Sequence, residues 1–141
     1  MTPDKKEKID LFLAEAILGR LATANPKTCQ PHAVPVWFLW DGESAWISAF
    51  NSTRKVKDLL KNRLCSIVID TQAGGLPLTG VILEGEAELI TEPREVVRDM
   101  AIRIYAKYMG PEGVKTADPQ SWAVDPENTI IKLTPAHIYS W

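Results

Sequence analysis

The sequence predicts a mainly β fold with helices: a small, mostly antiparallel barrel of about six strands with three connecting helices. Apolar, β-branched segments alternate with turn signals, and links of hairpin length dominate between them. No internal repeat or linker divides the 141 residues, of which 45% are hydrophobic and 24% charged. A chain of this length and composition can bury one core, so we predict a single domain over residues 1–141.

The N-terminal segment predicts an amphipathic helix. Thr2 can cap it, Pro3 suits its first position, and Gly19 is expected to end it. Its apolar residues fall on one face at helical spacing, at Ile9, Phe12, Leu13, Ala16 and Ile17. The same segment is charged and lacks an uninterrupted apolar run, so it does not resemble an export signal. We therefore expect a cytoplasmic protein whose two cysteines, Cys29 and Cys65, are free thiols.

The first three strands are predicted at residues 21–24, 33–40 and 45–49. The second has almost no polar face, which indicates that protein or ligand covers both of its sides. Pro35 within it cannot donate a ladder hydrogen bond, so it should lie at an edge, a bulge or a strand start. Asp41-Gly42 is a turn signal, and its spacing predicts a hairpin between the second and third strands.

The remaining elements follow from the same signals. They are a fourth strand at 65–70, a long fifth strand at 80–91, a helix from Pro93 to Gly110-Pro111, a loop or short turn at 118–128, and a final strand region at 129–133 that continues past Pro135 at 136–141. The fifth strand alternates apolar residues with three glutamates, Glu84, Glu86 and Glu88, which predicts one solvent-exposed face.

Residues 50–60 predict a helix whose first turn is unusually basic. Ser52 or Thr53 can cap it, and Arg54, Lys55 and Lys57 follow. A helix N-terminus already carries about half a positive charge, so each of these cations should cost roughly a few tenths of a kcal/mol there. A bound phosphate would reverse that sign. The alternative is a solvated basic turn, which the nearby Asp58 partly offsets.

Five tryptophans are many for 141 residues, and four of them lie in predicted strands, at Trp37, Trp40, Trp46 and Trp141. Because a buried indole N–H needs a partner, both the core and a flat ligand pocket or interface remain open destinations. An anion site beside an apolar, aromatic strand would suit a planar heteroaromatic cofactor with a phosphate tail.

Several other chemistries find no support. The glycines of residues 74–80 match neither the dinucleotide fingerprint nor the P-loop. His32 and His137 have no further ligands at metal-binding spacing, so no metal site is expected. No G-x-S-x-G context is present. A net charge of −2 argues against general nucleic-acid binding.

Five short segments carry a resemblance through their order and spacing. They are Arg20–Thr23, Pro31–Phe38, Asp41-Gly42, Thr53–Leu59 and Pro135–Tyr139. Together they resemble the pyridoxamine 5'-phosphate oxidase-like, flavin-binding split-barrel superfamily, from about residue 10 to the last residue. The resemblance implies a homodimer of six-stranded split barrels, with two cofactor sites at the subunit interface and the phosphate held by the helix after the third strand.

The resemblance also implies positions for the cofactor. The phosphate stretch matches Thr53, Arg54 and Lys55, with Lys57 as a fourth candidate, although two positions along a helix turn a side chain by about 200°. Three further groups have matching positions in the family. Val36, Trp37 and Phe38 match the strand that lies along the ring system, and Ser48 and Ala49 match the positions near the ring edge or ribityl chain. Thr79 and Gly80 match the region that reaches the partner's cofactor.

Two departures from the family pattern bear on function. The pyridoxamine phosphate oxidases carry Arg and Lys in the second strand, where this chain has only apolar residues, and they have a longer C-terminal substrate region. The sequence is more similar to the smaller branch, which includes flavin-dependent and deazaflavin-dependent reductases. The implied cofactor is FMN, with a deazaflavin coenzyme as the alternative.

The functional hypothesis is an FMN-binding oxidoreductase that transfers a hydride or electrons to a small unsaturated or heteroaromatic substrate, with no nucleic-acid or membrane partner. No catalytic residue is assigned. The nearest candidates are Tyr105, Tyr108, Trp122, His137 and Tyr139, of which helical spacing favours the first two as core. The alternatives are a non-catalytic module that binds flavin, deazaflavin or haem and, last, a barrel that binds single-stranded nucleic acid.

Overall fold

The computed structural model describes residues 1–141 and contains four helices and eight strands. The helices are α1 (Pro3–Leu13), α2 (Arg54–Lys61), α3 (Arg94–Gly113) and α4 (Ala117–Val124). The strands are β1 (Gly19–Ala24), β2 (Pro31–Val36), β3 (Leu39–Trp40), β4 (Ala45–Phe50), β5 (Leu64–Asp70), β6 (Gly80–Ile90), β7 (Asn128–Leu133) and β8 (His137–Ser140). None of the four helices has the length and apolar character needed to cross a membrane.

All strand pairs are antiparallel, in the order β2-β1-β5-β6-β7-β4-β3, with β8 also on β6. The long strand β6 organises this sheet. One of its edges pairs with β5 along Gly80–Glu86, whereas the other pairs first with β8 along Val81–Glu84 and then with β7 along Ala87–Ile90. The sheet therefore curls around β6 into a split barrel, mainly β with helices, as the sequence predicts.

Gly85 marks the point at which β6 changes partners. A Cβ atom at this position would lie 3.0 Å from the Thr134 carbonyl oxygen and 3.1 Å from the Ala136 amide nitrogen. Both atoms belong to the backbone that connects β7 to β8, so they cannot move aside as a flexible side chain would. Glycine is the residue that lets the two chain segments approach this closely.

Two hydrophobic clusters fill the fold. The larger one contains 19 buried residues inside the barrel and includes the apolar face of α1 at Ile9, Phe12 and Leu13. The smaller one contains 7 buried residues, mostly from α3, and joins α3 and α4 to β7. Because each buried aliphatic or aromatic side chain contributes about 1.5–3 kcal/mol relative to exposure, these faces hold the helices on the sheet.

The structure has eight strands where the sequence predicted about six. The predicted second strand breaks at Trp37 and Phe38 into β2 and β3, because the Phe38 N–H donates to the Tyr108 hydroxyl at 3.2 Å instead of to a neighbouring strand. The two parts of the final strand region, on either side of Pro135, form the separate strands β7 and β8. The edge position predicted for Pro35 is confirmed, since β2 ends the strand order.

The helices also differ from the prediction. The first helix ends at Leu13 and not at Gly19, which instead begins β1. Residues 118–128 are predicted to be loop or a short turn, but residues 118–124 lie in a fourth helix, in which Pro119 and Ala123 are buried. Gly110, with φ of 79°, interrupts α3 at the predicted stop, but helical structure resumes as far as Gly113.

Both cysteines are free, and they differ in environment. Cys29 is exposed in the β1–β2 loop, whereas Cys65 is buried in β5. Burial raises the pKa of the Cys65 thiol to about 11, which keeps it protonated and unreactive at neutral pH.

We expect Gly85→Ala to lower the free energy of unfolding by about 1–3 kcal/mol, because the new methyl group would meet two fixed backbone atoms. Gly74→Ala is the matched control, since nothing lies within 4 Å of its added Cβ. Urea denaturation monitored by circular dichroism measures both. Equal stability of the two variants would show that the partner change of β6 does not require glycine.

Candidate functional site

Two adjoining cavities lie beside the start of α2. The first, here the Trp37 cavity, has a volume of about 380 Å³ and is lined by Leu18, Pro35, Val36, Trp37, Ser48, Lys55, Ile104 and Tyr105. The second, here the Trp122 cavity, has a volume of about 210 Å³ and is lined by Ser48, Ala49, Phe50, Thr53, Lys55, Tyr105 and Trp122. Three residues, Ser48, Lys55 and Tyr105, border both cavities and so form the boundary between them.

Lys55 is the charged group at this boundary. Its ammonium makes no ion pair or hydrogen bond with any other side chain or carbonyl of the chain. Burial lowers the pKa of Lys55, because a partly desolvated cation without a partner is less stable than one in water. An anion at the boundary would remove this cost.

The start of α2 adds to the positive potential around Lys55. Thr53 is the N-cap residue, but its hydroxyl donates to the Phe50 carbonyl, so no side chain caps the first turn. No acidic residue lies in that turn either. Arg54 is partly neutralised from within its own helix, because its Nε atom lies 3.7 Å from a carboxylate oxygen of the buried Asp58. Lys55 therefore remains the cation that is free to bind a ligand at this site.

Four aromatic side chains form a row beside the two cavities, and three of them, Trp37, Tyr105 and Trp122, line the cavities. Trp122 meets Tyr105 edge-on with ring centroids 5.8 Å apart, and Tyr105 meets Trp37 at 6.2 Å. Trp37 in turn stacks on Tyr108, with centroids 5.0 Å apart and planes 6° from parallel. The cavities thus combine apolar ring surface with the cation of Lys55, which suits a planar, anionic ligand.

A chain of hydrogen bonds holds the middle of this row. The Tyr105 hydroxyl lies 2.8 Å from Ser48 Oγ, and Ser48 Oγ donates to Asn128 Oδ1 at 2.6 Å. Asn128 is fully buried, and its amide nitrogen donates to the Ala123 carbonyl of α4 at 3.2 Å. Burial raises the pKa of Tyr105, so its hydroxyl stays neutral. Strand β4, helix α3 and helix α4 are thereby fixed around the cavity boundary.

The far end of the row is held by a second polar cluster. Tyr108 donates to the Ile17 carbonyl at 2.8 Å, and Lys107 donates to the Leu13 and Phe38 carbonyls at 3.0 Å each. The Lys107 ammonium also lies 3.7 Å from the centroid of the Phe38 ring. These bonds fix the β2–β3 break and the α1–β1 link, and so hold Trp37 at its cavity.

The structure brings six of the predicted site residues to the two cavities: Val36, Trp37, Ser48, Ala49, Thr53 and Lys55. It does not bring the other five there. Phe38 is fully buried in the core, and Arg54 and Lys57 are exposed on α2. Thr79 and Gly80 lie at the start of β6, where they bond to the Trp141 backbone, and their predicted contact with a partner's cofactor stays a prediction.

Sequence reasoning did not assign several residues that line the cavities: Leu18, Pro35, Phe50, Ile104, Tyr105 and Trp122. Tyr105 and Trp122 were only candidates, and helical spacing favoured Tyr105 as core. Tyr105 is indeed 7% exposed, yet its hydroxyl reaches Ser48 at the boundary. His137 and Tyr139 lie on β8 and line neither cavity.

The tryptophans have separate destinations. Trp37 and Trp122 line the cavities. Trp40 and Trp46 donate their indole N–H groups to the carboxylates of Asp10 and Asp41 at 2.8 Å. Trp40 and Trp46 thus pack against the core clusters with their N–H groups satisfied, whereas the ligand-pocket interpretation stays a prediction for Trp37.

Two larger cavities contain none of the predicted site residues. One of about 640 Å³ lies beside the start of α3, where Arg94 already donates to three carbonyls. The other, of about 900 Å³, lies along the outer strand surface near Glu84 and Glu86. Neither combines an unpaired cation with an aromatic wall, so volume alone does not identify the functional site.

Comparison with known proteins links this geometry to a family. A family model described as pyridoxamine 5'-phosphate oxidase matches residues 6–141. No curated protein matches the chain.

Several solved structures share the fold. An F420 reductase is 20% identical, with 91% of this chain and 93% of that chain covered and a TM-score of 0.72. The conserved hypothetical protein Rv2991 from Mycobacterium tuberculosis is 23% identical over 100% and 84% of the two chains, with a TM-score of 0.76. A protein from Listeria innocua, described as a candidate pyridoxamine 5'-phosphate oxidase, is 20% identical over 96% and 97%, with a TM-score of 0.70.

The polar cluster formed by Lys107 and Tyr108 should make the free energy of unfolding depend on pH. Burial lowers the pKa of Lys107 from 10.5 to about 8 in the folded protein. At pH values between these two pKa values, Lys107 is protonated to a greater extent in the unfolded chain than in the folded protein. This residue should therefore make the free energy of unfolding rise with pH from about 8 toward 10.5. Lys107→Met should flatten that rise in urea denaturation at pH 7.5 and 9.5. Lys27→Met, in an exposed loop, is the control and should keep the wild-type slope; an equally steep slope in Lys107→Met would contradict the assignment.

Proposed function

The chain belongs to the pyridoxamine 5'-phosphate oxidase family, and from that premise we propose that it is an oxidoreductase that binds FMN in the two cavities beside α2. The observation that carries this proposal is Lys55, a partly buried cation without a partner at the boundary of two cavities with an aromatic wall. A phosphate is the ligand group that best satisfies such a cation at a helix start without a side-chain cap.

The residues present fit such a ligand. Lys55 and the first-turn N–H groups of α2 would hold the phosphate, next to Thr53. Val36 and Trp37 would lie along the ring system in the larger of the two cavities. Apolar contact on this surface and a charge-assisted contact at Lys55 would together fix both ends of the ligand.

The bound flavin would supply the hydride or electron transfer itself. The chain contributes orientation, electrostatics and exclusion of water. Trp37 and Trp122 cover the cavities with apolar surface, and Lys55 places positive charge between them. The neutral Tyr105 and Ser48 hydroxyls are the polar groups at the boundary, and we assign neither a proton-transfer step. The proposed substrate is small and unsaturated or heteroaromatic.

A deazaflavin coenzyme is the second candidate cofactor, and the F420 reductase with a TM-score of 0.72 favours it. The two cofactors have similar ring shapes, so the cavities do not separate them. The absorbance spectrum of the ligand that copurifies with the protein distinguishes the two. A bound flavin that, once reduced by a reduced nicotinamide or dithionite, passes its electrons to an added acceptor no faster than free flavin does would instead support a non-catalytic carrier.

We also propose that the protein is a homodimer with the cofactor at its interface. The outer surface of the sheet supports this, because Val68, Ile82 and Tyr139 lie side by side across β5, β6 and β8. Nearby, Trp141 covers Gly80, and the Tyr139 and Trp141 side chains are 50% and 55% exposed. Adjacent apolar side chains on a surface are typical of an interface between subunits.

We expect Lys55→Met to weaken FMN binding about tenfold or more while changing riboflavin binding little, since only FMN carries the phosphate. Lys57→Met is the matched control, because Lys57 is exposed two positions along the same helix and lines neither cavity. Isothermal titration calorimetry with both ligands measures these effects. If Lys55→Met weakened both ligands equally, the phosphate would be bound elsewhere.

Sedimentation velocity tests the dimer. We expect a species of about twice 15.7 kDa for the wild type and a monomer with weakened FMN binding for Ile82→Glu, because a carboxylate would be buried in the interface. Leu11→Glu, at a 56% exposed position on α1, is the control and should remain dimeric. A wild type that sediments as a monomer would contradict the proposal.

A further inference from the structure

The hydrogen-bond chain at the cavity boundary has a defined direction. Asn128 fixes it, because the amide nitrogen donates to the Ala123 carbonyl and the amide oxygen must then face Ser48. The reverse orientation would place two oxygen acceptors against each other at Ala123. The full burial of Asn128 leaves no water to relieve such a contact.

The direction continues through Ser48 to Tyr105. A serine hydroxyl has one proton, and that of Ser48 is donated to Asn128 Oδ1 at 2.6 Å. The 2.8 Å contact between Ser48 Oγ and the Tyr105 hydroxyl must therefore use the proton of Tyr105. The Tyr105 oxygen is left with acceptor capacity alone, at a position that borders both cavities.

From this directionality we propose that Tyr105 accepts a hydrogen bond from a ring N–H of the bound cofactor, so that the site recognises the imide edge of a planar heterocycle. This inference rests on the proposed function and deepens it. An oxidised flavin ring and an oxidised deazaflavin ring each carry one N–H within the imide, at N3. An acceptor that contacts a ring N–H of either oxidised cofactor must therefore meet N3.

The proposal accounts for the buried amide as well. Asn128 contacts neither cavity but sets the proton direction two groups away, so it acts as a positioning residue. Without it, the Ser48 hydroxyl would be free to turn its proton toward Tyr105, and the phenol would then become a donor. A donor at this position would repel the imide N–H and favour a carbonyl instead.

A comparison of FMN with its N3-methyl derivative tests the inference through binding alone. For the wild type, N3-methylation should weaken binding about tenfold, because it removes one hydrogen bond to a partly buried acceptor. For Tyr105→Phe, FMN should bind about tenfold more weakly, and the penalty for N3-methylation should largely disappear. Calorimetric titration of each protein with each ligand gives the four dissociation constants.

Tyr108→Phe is the matched control. It removes a phenol hydroxyl three positions away on the same helix, but that hydroxyl donates to the Ile17 carbonyl and lines neither cavity. The control should retain the tenfold penalty for N3-methylation. Circular dichroism spectra that match the wild type establish that each variant is folded.

Two results would overturn the inference while leaving the proposed function intact. The first is FMN binding by the wild type with no penalty for N3-methylation. The second is a penalty for N3-methylation that is equal in wild type and Tyr105→Phe. That result would indicate that the Tyr105 hydroxyl contacts a hydroxyl of the ribityl chain and not N3. A wild type that binds neither FMN nor a deazaflavin would instead remove the proposed function, and this inference with it.

Discussion

The buried amide of Asn128 is the interaction on which the site depends. Its side chain joins Ser48 of β4 to the Ala123 carbonyl of α4, and its backbone carbonyl accepts from Arg94 of α3 at 3.0 Å. Every polar atom of this residue has a partner, which a fully buried amide requires. Loss of one partner would leave the others unsatisfied in a low-dielectric interior. The network therefore fixes three elements and the proton direction at the cavity boundary together.

The start of α2 shows the opposite balance, since its charges are poorly satisfied within the chain. No side chain caps the first turn, no acid lies in it, and Lys55 has lost part of its hydration without gaining a partner. Such local instability is typical of functional sites, because a ligand can supply the missing interactions. The two halves of the site thus differ: the Asn128 network is complete within the chain, whereas the α2 start lacks interactions that the proposed ligand would supply.

Local patterns predicted the parts of the molecule that depend on local physics. The basic first turn of α2 opposes the helix dipole, and this local conflict singles out Lys55 in the sequence; the β3–β4 hairpin follows from the turn signal Asp41-Gly42. Tertiary contacts decided the rest. The Tyr108 hydroxyl breaks the predicted second strand, and Phe38 is buried in the core. Helix α4 forms where tertiary contacts bury Pro119 and Ala123, and the local sequence does not indicate this burial. Helical spacing correctly indicated that Tyr105 is buried, but spacing does not indicate which group its hydroxyl contacts, here Ser48.

The aromatic row also gives the protein a built-in optical reporter. Of the five tryptophans of the chain, Trp37 and Trp122 border the cavities, whereas Trp40, Trp46 and Trp141 lie elsewhere. Any chromophore that absorbs in the near ultraviolet or blue and enters these cavities becomes an acceptor for indole emission by resonance energy transfer. Occupancy of the site can thus be followed in the unlabelled chain, and the emission that survives saturation comes chiefly from the more distant indoles.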